Sequence, residues 1–430
     1  MIHKTDGTLK DRLSKGDNIS IPLFDVVMGI THAMDLVCEE LVDHHKRVAY
    51  IAHSIAAALD FPKEQQKNII LAGLMHDIGA FSLKERLGAL RFEMTDGQRH
   101  AKLGYMLTKD FKPFESAARL IRCHHILWSD EAGEEVPIGC YILNLADRAA
   151  VLMDDRKALS AMIRDIHQRL KKNRGTMFCP DLVDVFMEIS NDEEYWSKAF
   201  SPSVYRILSD ELSLGLVKLD MDGLKALARL FCQVIDFRSR FTATHSRGVA
   251  ASAKALSQLM GFSDGESLSL EIAGYLHDLG KLAIPSEILE KPGKLTYEEY
   301  RVIKSHAIHT HNVLENIKDL ATINSWAALH HERLDGRGYP FGLTGGELSL
   351  GCRIMAVADV FTAITEDRPY RKGMTSQKAL KVMDNMVNSL ALDGDVVSVL
   401  KYNYDYLNFI RTAAQRKAAS EYKQFQQQVQ

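Results

Sequence analysis

Apolar side chains recur along this chain at the spacing of amphipathic helices. Between residues 224 and 235, one apolar face is formed by Leu224, Leu227, Leu230, Phe231, Val234 and Ile235. This period of about 3.6 residues predicts a helix. Thr296 with Glu299 has the form of a capping box that opens another helix, and the segment from Thr95 to Gln98 is similar. Because the chain has only 10 prolines, the pattern predicts an all-α protein.

Residues with metal-ligand character occur twice, in the same order. The first set comprises His44, His76, Asp77, His100, His124, His125 and Asp147. The second set comprises His245, His277, Asp278, His306, His330, His331 and Asp359. In both sets 32 residues separate the first histidine from the His-Asp pair, and 24 separate the next histidine from the His-His pair. Ten of the 17 histidines fall on this pattern, which therefore predicts two copies of one domain.

The length of the chain supports this division. A chain of 430 residues is too long for one ordinary core, so two domains are expected. We predict a first domain over residues 1–205, with its boundary in the turn-forming segment Ser201–Ser203, and a second over 215–410. The polar, glutamine-rich tail over 411–430 is predicted as a frayed helix without a chemical role.

Composition narrows the function classes. The net charge is −3, with 46% hydrophobic and 25% charged residues, so no broad attraction to DNA or membranes is expected. The N-terminus lacks an apolar signal-peptide core, and no run approaches the roughly 18 apolar residues of a membrane span. The six cysteines are scattered without a CxxC pair and are predicted to be reduced thiols of a cytoplasmic protein.

The second set of ligand-type residues predicts a dinuclear metal centre. Five histidines and two aspartates are too many for one tetrahedral zinc ion. They suit two six-coordinate ions that share a bridging carboxylate, for which Asp278 beside His277 is the natural candidate. Such a pair of ions polarises a water for in-line attack on phosphorus. Lys281 follows closely enough to neutralise the developing negative charge.

Each of these residues also has an ordinary structural interpretation. A lone buried histidine is usually a hydrogen-bonded core residue, but the complete set favours a metal. His309 and His311 fall outside the pattern and are predicted at the surface. The segment Asp335–Pro340 could be a plain tight turn, yet its direct attachment to the histidine pair favours a substrate loop. Arg368 and Arg371 are either a solvated loop end or contacts to a phosphate or base.

From about Leu224 to Asn403 the sequence resembles the HD-GYP phosphodiesterases, a bacterial branch of the HD metal-dependent phosphohydrolases. The resemblance rests on His277-Asp278-x-Gly280-Lys281 and on His330-His331-Glu332-x-x-Asp335-Gly336-x-Gly338-Tyr339-Pro340. It implies tandem HD-type helical bundles, the first degenerate and the second catalytic. It also implies two iron or manganese ions and hydrolysis of cyclic di-GMP or 3′,3′-cyclic GMP-AMP to the linear dinucleotide, with the choice between them left open.

The resemblance assigns roles to individual residues. The first metal would be held by His245, His277, Asp278 and Asp359, and the second by Asp278, His306, His330 and His331. Asp278 and Lys281 would be catalytic, with Lys281 on the scissile phosphate. The implied substrate contacts are Lys281, Arg333, Gly338, Tyr339, Pro340, Arg368 and Arg371.

The second copy departs from the family pattern at two positions. Phe241 stands where some members have a glutamate for a third metal, so two metals are expected. Thr362 stands where an aspartate is common, and its lack of charge bears on rate or substrate preference.

The first copy keeps the ligand set but lacks two catalytic features. Ala80 replaces the lysine, and no DGxGYP loop follows His125. Glu40, four residues before His44, is expected on the same helical face as an extra ligand. One hypothesis is that this copy binds metal, has lost hydrolysis and serves as a sensor or structural partner. The alternative is a vestigial core whose histidines only form hydrogen bonds.

Two other functions compete with the phosphodiesterase. One is an inactive HD-GYP effector that binds the cyclic dinucleotide and signals to a protein partner. The other is an HD hydrolase of alarmones or dNTPs, which the segment Asp335–Pro340 disfavours. The expected partner is a cyclic dinucleotide; neither DNA nor a membrane is expected, and a homodimer is left open.

Overall fold

Helices form nearly all regular structure of the described chain. The computed structural model describes residues 21–93, 97–130, 136–212, 217–238, 244–367 and 371–429. Within these ranges the strands are β1 (Ile21–Pro22) and β2 (Lys218–Leu219), which pair antiparallel. The first helix, α1 (Leu23–Asp35), follows β1 directly. The predicted all-α fold is confirmed.

One compact unit spans residues 34–217. Its helices are α2 (His44–Ala58), α3 (Lys63–Met75), α4 (Leu83–Ala89), α5 (Gln98–Thr108), α6 (Glu115–Cys123), α7 (Ile138–Val151), α8 (Leu159–Lys172), α9 (Pro180–Ile189), α10 (Glu193–Ala199) and α11 (Val204–Leu212). Short 3-10 turns lie at Glu39–Leu41 and Lys112–Phe114.

Among the described residues, the other unit combines residues 21–33 with those from 218 to 428. Its helices after β2 are α12 (Met221–Arg238), α13 (His245–Leu259), α14 (Asp264–Leu276), α15 (Ser286–Leu289), α16 (Tyr297–Glu315), α17 (Ala321–Ala328), α18 (Leu350–Thr365), α19 (Ser376–Asn388), α20 (Gly394–Tyr402) and α21 (Tyr404–Val429). Further 3-10 turns lie at Leu279–Ala283 and Lys318–Leu320.

The unit boundaries differ from the predicted division at 205 and 215. The chain divides after residue 33, inside α1, and again after residue 217. The N-terminal segment joins the later unit because Ile21 pairs with Leu219 and because Gly29 lies against Val313. A Cβ on Gly29 would lie 2.5 Å from the Val313 carbonyl oxygen, so the two backbones are in close contact. A prediction that follows chain order cannot detect this exchange.

The C-terminal tail also differs from the prediction. Residues 411–430 were expected to fray, but through residue 429 they continue α21. The Arg229 guanidinium of α12 lies 2.5 Å from the Glu421 carboxylate. The Phe237 ring lies 4.9 Å from both the Tyr422 and the Phe425 rings. Aromatic contacts and an ion pair therefore hold the polar helix against α12.

The helix starts can be compared with the predicted capping boxes. At α16 the box is confirmed: the Thr296 hydroxyl accepts the Glu299 N–H at 3.2 Å, and the Glu299 carboxylate accepts the Thr296 N–H at 2.7 Å. The box predicted from Thr95 begins outside the described residues. The helix that follows, α5, starts at Gln98 after Gly97, and no side chain caps its first turn.

A glycine allows two helices to meet closely in each unit. A Cβ on Gly274 of α14 would lie 2.5 Å from the Ala250 Cα of α13. A Cβ on Gly73 of α3 would lie 2.8 Å from the Ala49 Cα of α2. Any larger residue would force the helices apart. In the earlier unit this contact places His76-Asp77, directly after α3, beside His44 at the start of α2. In the later unit it places His277-Asp278, directly after α14, beside His245 at the start of α13.

The prediction of six reduced thiols is wrong for one pair. Cys123, at the end of α6, and Cys140, in the first turn of α7, form a disulfide with a Cα–Cα separation of 5.5 Å. Folding brings together two residues 17 apart whose sequence context carries no disulfide signal. Cys38, Cys179, Cys232 and Cys352 are not disulfide-bonded. In the described ranges, every helix is too short or too polar to cross a membrane.

Candidate active site

Separate elements of the later unit supply the predicted metal ligands. His245 begins α13, and the pair His277-Asp278 directly follows α14. His306 lies in α16, and Asp359 lies in α18. His330 and His331 directly follow α17. All of these side chains are buried except His331, which is 30% exposed.

The fold brings these seven candidate ligands together in three overlapping groups. The groups are His245, His277 and Asp359; His277, Asp278 and His330; and His306, His330 and His331. Within each group the potential ligand atoms lie within 4.8 Å of one another. Overlapping groups of this kind have the arrangement that two neighbouring ions require.

Hydrogen bonds orient three of the imidazoles. The Nδ1 atoms of His277, His306 and His330 each bond the carbonyl oxygen three residues earlier, at 2.9, 2.6 and 2.6 Å. Each Nδ1 therefore carries the proton, and Nε2 has a free lone pair. The buried Nε2 atoms of His306 and His330 have no hydrogen-bond partner. Metal-binding histidines commonly donate their other ring N–H to a backbone carbonyl in this way, so the residues fit divalent metal ions.

His245 is held by a glutamate that the sequence analysis missed. Both oxygens of Glu366 lie 3.1 Å from His245 Nδ1, and the Gln415 amide donates to Glu366 at 2.9 Å. The other nitrogen, Nε2, faces an Asp359 oxygen at 3.1 Å. Burial alone would lower the pKa of His245, but the Glu366 and Asp359 carboxylates raise this pKa to about 10. Glu366 lies 121 residues from His245, and no spacing rule connects them.

The electrostatics keep most donors in their ligand form near neutral pH. Burial lowers the pKa of His306 to about 3 and the pKa of His330 well below its usual value, so both rings are neutral. Burial would raise the pKa of Asp278, but His277 and Lys281 hold it well below 3.8. Neutral imidazoles and ionised carboxylates are the forms that bind a metal.

Lys281 lies directly beside the central carboxylate. Its Nζ atom is 2.5 Å from Asp278 Oδ2, and its side chain is 18% exposed. The ammonium group therefore lies at the ligand cluster with partial access to solvent. A cation in this position can stabilise negative charge that develops on a bound phosphate.

The loop after the histidine pair is anchored to the site and is more than a plain turn. The Glu332 carboxylate accepts the N–H groups of Phe341, Gly342 and Leu343 at 2.6, 3.0 and 3.0 Å. The Tyr339 N–H donates to the His331 carbonyl at 3.2 Å, and the two rings lie 4.7 Å apart. The loop therefore forms a wall beside the half-buried ligand His331.

Comparisons with known proteins agree with this geometry. A family model described as HD domain matches residues 229–396, and another with the same description matches residues 41–152. A 3′3′-cGAMP-specific phosphodiesterase 1 of Vibrio cholerae is 31% identical over 390 residues, which cover 87% of this chain and 90% of the relative. The chain belongs to the HD-GYP cyclic dinucleotide phosphodiesterases.

Two further phosphodiesterases match different shares of the chain. A cyclic di-GMP phosphodiesterase of Pseudomonas aeruginosa is 38% identical over 177 residues, 41% of each chain. A crystal structure of a cyclic GMP-AMP specific phosphodiesterase of V. cholerae aligns with a TM-score of 0.63 and 23% identity. It covers 90% of this chain and 98% of the other, so the tandem HD fold is shared over nearly the whole length.

Some residues expected to contact substrate in an HD-GYP enzyme have other partners here. The Arg333 guanidinium binds Asp335 at 3.0 and 2.7 Å and the Ser389 carbonyl at 3.3 Å. The exposed Arg371 donates to the Ala363 carbonyl at 2.6 Å. Both arginines thus brace loops in this state. Arg368 lies outside the described residues.

Of the two departures from the HD-GYP pattern, Thr362 lies in the described part of α18. Thr362 is fully buried and donates to the Ala358 carbonyl of its own helix at 2.8 Å. Its methyl group packs near Gly248 of α13, so the side chain adds no charge to the ligand cluster. Phe241 lies outside the described residues.

Two residues at the rim of the site were not predicted. The Lys304 ammonium lies 4.6 Å from the centre of the Tyr339 ring and 5.1 Å from that of Tyr300, within cation–π range. Tyr300 and Lys304 lie one helical turn apart in α16, just before His306, and this spacing could have indicated the cluster. His309 and His311, expected at the surface, are half-buried, and the His311 ring lies 5.2 Å from the Phe341 ring.

The earlier unit also brings its predicted ligand residues together, except for Glu40. The groups are His44, His76 and Asp77, and Asp77, His100, His124 and His125. Asp147 lies 3.4 Å from His44 Nε2. The prediction that Glu40 shares the helical face of His44 is wrong: Glu40 is exposed in a separate 3-10 turn, and α2 begins only at His44.

Proposed function

We propose that the later unit hydrolyses a cyclic dinucleotide to its linear form by metal-activated water attack. The observation that carries this proposal is the convergence of seven ligands in three overlapping groups, with Lys281 Nζ 2.5 Å from Asp278. The HD-GYP membership and the anchored loop at Tyr339 support it. A cytoplasmic location is part of the proposal.

The proposed ligand roles follow the three groups. His245, His277, Asp278 and Asp359 would hold one ion, and Asp278, His306, His330 and His331 the other. When bound, the two ions would supply a polarised water and neutralise charge on the phosphate. The mixture of imidazoles and carboxylates, without a thiolate, suits iron or manganese in six-coordinate geometry. Two ions fit the donor count better than one.

Lys281 and the loop have separate proposed tasks. The Lys281 ammonium would bind the non-bridging oxygens of the scissile phosphate, where negative charge accumulates during attack. The wall formed by Gly338, Tyr339 and Pro340 would position the nucleotide next to His331. Because Glu332 fixes the three residues that directly follow this wall through backbone hydrogen bonds, little reordering of the loop is expected when substrate binds.

The preferred substrate in this proposal is 3′,3′-cyclic GMP-AMP. The relative named for that activity matches 87% of the chain and includes both HD domains, whereas the P. aeruginosa cyclic di-GMP relative matches 41%. The uncharged Thr362 is a second difference from the usual cyclic di-GMP enzyme. We therefore expect hydrolysis of both compounds, with the mixed dinucleotide hydrolysed faster.

The direct test is hydrolysis of the two cyclic dinucleotides side by side by the full-length protein. The assay would contain Mn²⁺ or, without oxygen, Fe²⁺. Faster turnover of 3′,3′-cyclic GMP-AMP supports the proposal, and faster turnover of cyclic di-GMP contradicts the preference. No turnover of either compound, with metal present by elemental analysis, contradicts the enzyme. It would favour a nucleotide-binding effector instead.

A matched pair of variants tests the site. His306→Ala removes a proposed ligand, whereas His309→Ala removes a half-buried histidine from the same helix outside the ligand groups. Loss of a group that hydrogen-bonds a metal ligand typically lowers metal affinity or activity about 10- to 100-fold, so loss of a ligand should lower activity at least about 100-fold. His309→Ala should stay within a few-fold of the wild type. Equal activity of His306→Ala and the wild type contradicts the assignment.

A further inference from the structure

We infer that the C-terminal helix α21 is part of the active site, with Gln415 as a positioning residue for the candidate ligand His245. The Gln415 amide acts through Glu366, which lies 3.1 Å from His245 Nδ1. This inference contradicts the expectation that residues 411–430 have no chemical role. It rests on the ligand assignment of the proposed function, and its test measures metal binding without substrate.

Buried hydrogen bonds connect the helix to the candidate ligand. Gln415 Nε2 donates to Glu366 Oε2 at 2.9 Å, and both Glu366 oxygens lie 3.1 Å from His245 Nδ1. These three side chains are at most 9% exposed. Hydrogen bonds are stronger in such a low-dielectric environment, so the amide restricts where the carboxylate can lie. With Nδ1 held by Glu366, His245 Nε2 faces Asp359 and the other potential ligand atoms.

An arginine of α21 determines which way the Gln415 amide points. Arg411 Nη1 donates to Gln415 Oε1, and Arg411 Nη2 donates to Asn408 Oδ1 at 2.8 Å. Because a guanidinium only donates, the amide oxygen faces Arg411 and the amide nitrogen faces Glu366. The reversed amide would place its oxygen against the Glu366 carboxylate, where neither group can donate. Arg411 itself lies 5.8 Å from the centre of the Phe361 ring of α18, within cation–π range.

The helix that begins with His245 also packs against α21. A Cβ added to Gly248 of α13 would lie 2.9 Å from Gln415 Nε2, so the first turn of α13 is in close contact with the amide. Further along α21, the Glu421 carboxylate lies 3.4 Å from the Arg247 guanidinium of the same turn. The C-terminal helix therefore contacts both the carboxylate that orients His245 and the helical turn that carries His245.

A purely structural role for Gln415 would have a different consequence. The Tyr422 and Phe425 rings of α21 also lie 4.9 Å from the Phe237 ring, so loss of one amide should leave the helix in place. A structural role would then appear only as a lower stability of the metal-free protein. A positioning role would appear as a lower affinity for the ion that His245 binds, because Glu366 could rotate away from the imidazole.

The expected effect is confined mainly to one of the two proposed ions. His245 belongs to only one of the three ligand groups, the one with His277 and Asp359. Loss of a group that hydrogen-bonds a metal ligand lowers metal affinity about 10- to 100-fold. Because Gln415 acts through Glu366, its loss should lower the affinity for this ion about 10-fold, at the lower end of that range. The affinity for the other ion should change much less.

The test compares Gln415→Leu with Gln424→Leu in full-length, metal-free protein titrated with Mn²⁺. Leucine has nearly the volume of glutamine but cannot donate, and Gln424 is an exposed residue of the same helix. Gln415→Leu should bind one Mn²⁺ about 10-fold more weakly than the wild type, whereas Gln424→Leu should match the wild type. In a hydrolysis assay, excess Mn²⁺ should restore the rate of Gln415→Leu, which it would not do for a folding defect.

A second variant perturbs the same amide from the opposite side. In Gly248→Ala the new methyl group would lie 2.9 Å from both Gln415 Nε2 and Thr362 Cγ2, so the amide must shift away from Glu366 while the sequence of α21 is unchanged. This variant should also bind one Mn²⁺ more weakly. Circular dichroism and a thermal melt would establish that each variant is folded at the temperature of the titration.

The outcomes separate this inference from the proposed function. Wild-type affinity for both ions in folded Gln415→Leu would overturn the inference, and so would an equal loss of affinity in Gln424→Leu. Wild-type protein that binds two Mn²⁺ ions but hydrolyses neither dinucleotide would contradict the proposed function. In that case a weaker Mn²⁺ site in Gln415→Leu than in Gln424→Leu would still support the positioning role.

Discussion

At the scale of single residues, two glutamates support the candidate site of the later unit without joining a ligand group. Glu332 follows the ligand pair His330-His331 but binds backbone N–H groups of the loop. Glu366 fixes the orientation of His245 from the end of α18. Hydrogen bonds to a charged group are worth about 1.5–3 kcal/mol each, so these contacts give the site much of its rigidity.

Glu332→Gln should loosen the loop while leaving the ligands intact. An amide has one acceptor oxygen and no charge, so it cannot satisfy all three loop N–H groups. We expect a fall in the free energy of unfolding of about 2 kcal/mol. Hydrolysis should fall with metal content unchanged, which thermal denaturation, rate assays and elemental analysis would measure. Glu347→Gln, on the solvent side of the same loop, is the control; equal effects in both variants would contradict a specific role for Glu332.

The convergence of the candidate ligands was predictable because adjacent histidines and regular spacing leave a sequence signal. His330 and His331 are neighbours, and the interval from His245 to His277 repeats that from His44 to His76. Glu366 left no such signal because its partner is distant in sequence. The positions of Glu40 and Cys123 depended on where a helix begins or which helices meet, and sequence period alone does not settle either.

At the scale of elements, three helices of the later unit meet at one buried carboxylate. Glu271 of α14 accepts from Lys254 of α13 at 2.8 Å and pairs with Lys225 of α12 at 3.0 Å. The Tyr275 hydroxyl donates to its other oxygen at 3.2 Å. Burial would raise the pKa of Glu271, but the two lysines lower it below 4.5.

This lowered pKa gives Glu271→Gln a defined pH dependence. A carboxylate whose pKa is lower in the folded state stabilises the fold above its unfolded value of 4.5, and the stabilisation is lost as pH falls through the folded value. We expect the variant to be less stable than the wild type by about 1 kcal/mol at pH 7. The difference should narrow below pH 4.5 in urea denaturation of metal-free protein. A constant difference down to pH 3 would contradict the ion-pair explanation.

The close contact between α13 and α14 positions the His277-Asp278 pair and requires a glycine at position 274. In Gly274→Ala the new methyl group would lie 2.5 Å from the Ala250 Cα, so the helices must separate. Overpacking of this kind costs about 1–3 kcal/mol. We also expect weaker metal binding, measured by titration with Mn²⁺.

Gly346→Ala is the control for the helix contact, since nothing lies within 4 Å of its added Cβ. It should leave stability and metal affinity unchanged. If Gly274→Ala behaves like Gly346→Ala in both measurements, the close contact does not position the site.

At the scale of the whole molecule, one unit is assembled from two separated stretches of chain. Among the described residues, 21–33 join those from 218 to 428, with the other unit inserted between them. The duplication was evident from the repeated histidines, but this exchange was not. It depends on the pairing of β1 with β2 and on the partners of α1, which involve tertiary contacts only.

A fragment that begins at residue 215 should therefore be less stable than its size suggests. It lacks the α1 side chains Leu23, Phe24, Val26, Val27 and Ile30, all at most 4% exposed in the full chain. Full burial of such a side chain is worth about 1.5–3 kcal/mol, so the fragment should lose several kcal/mol. Its melting temperature should be several degrees lower than that of the full chain, and a peptide of residues 21–35 should raise it. A fragment as stable as the full chain would contradict this.

The same topology has a consequence for the order of events on the ribosome. The segment Ile21–Ala33 is synthesised early, but the strand that pairs with β1 begins at Lys218, 185 residues after Ala33. At roughly 5–20 residues per second this interval is about 10–40 s. During that time the inserted unit can fold, whereas the apolar segment that forms α1 has no partner residues to pack against. A chaperone that shields this apolar helix during synthesis would therefore raise the yield of folded enzyme.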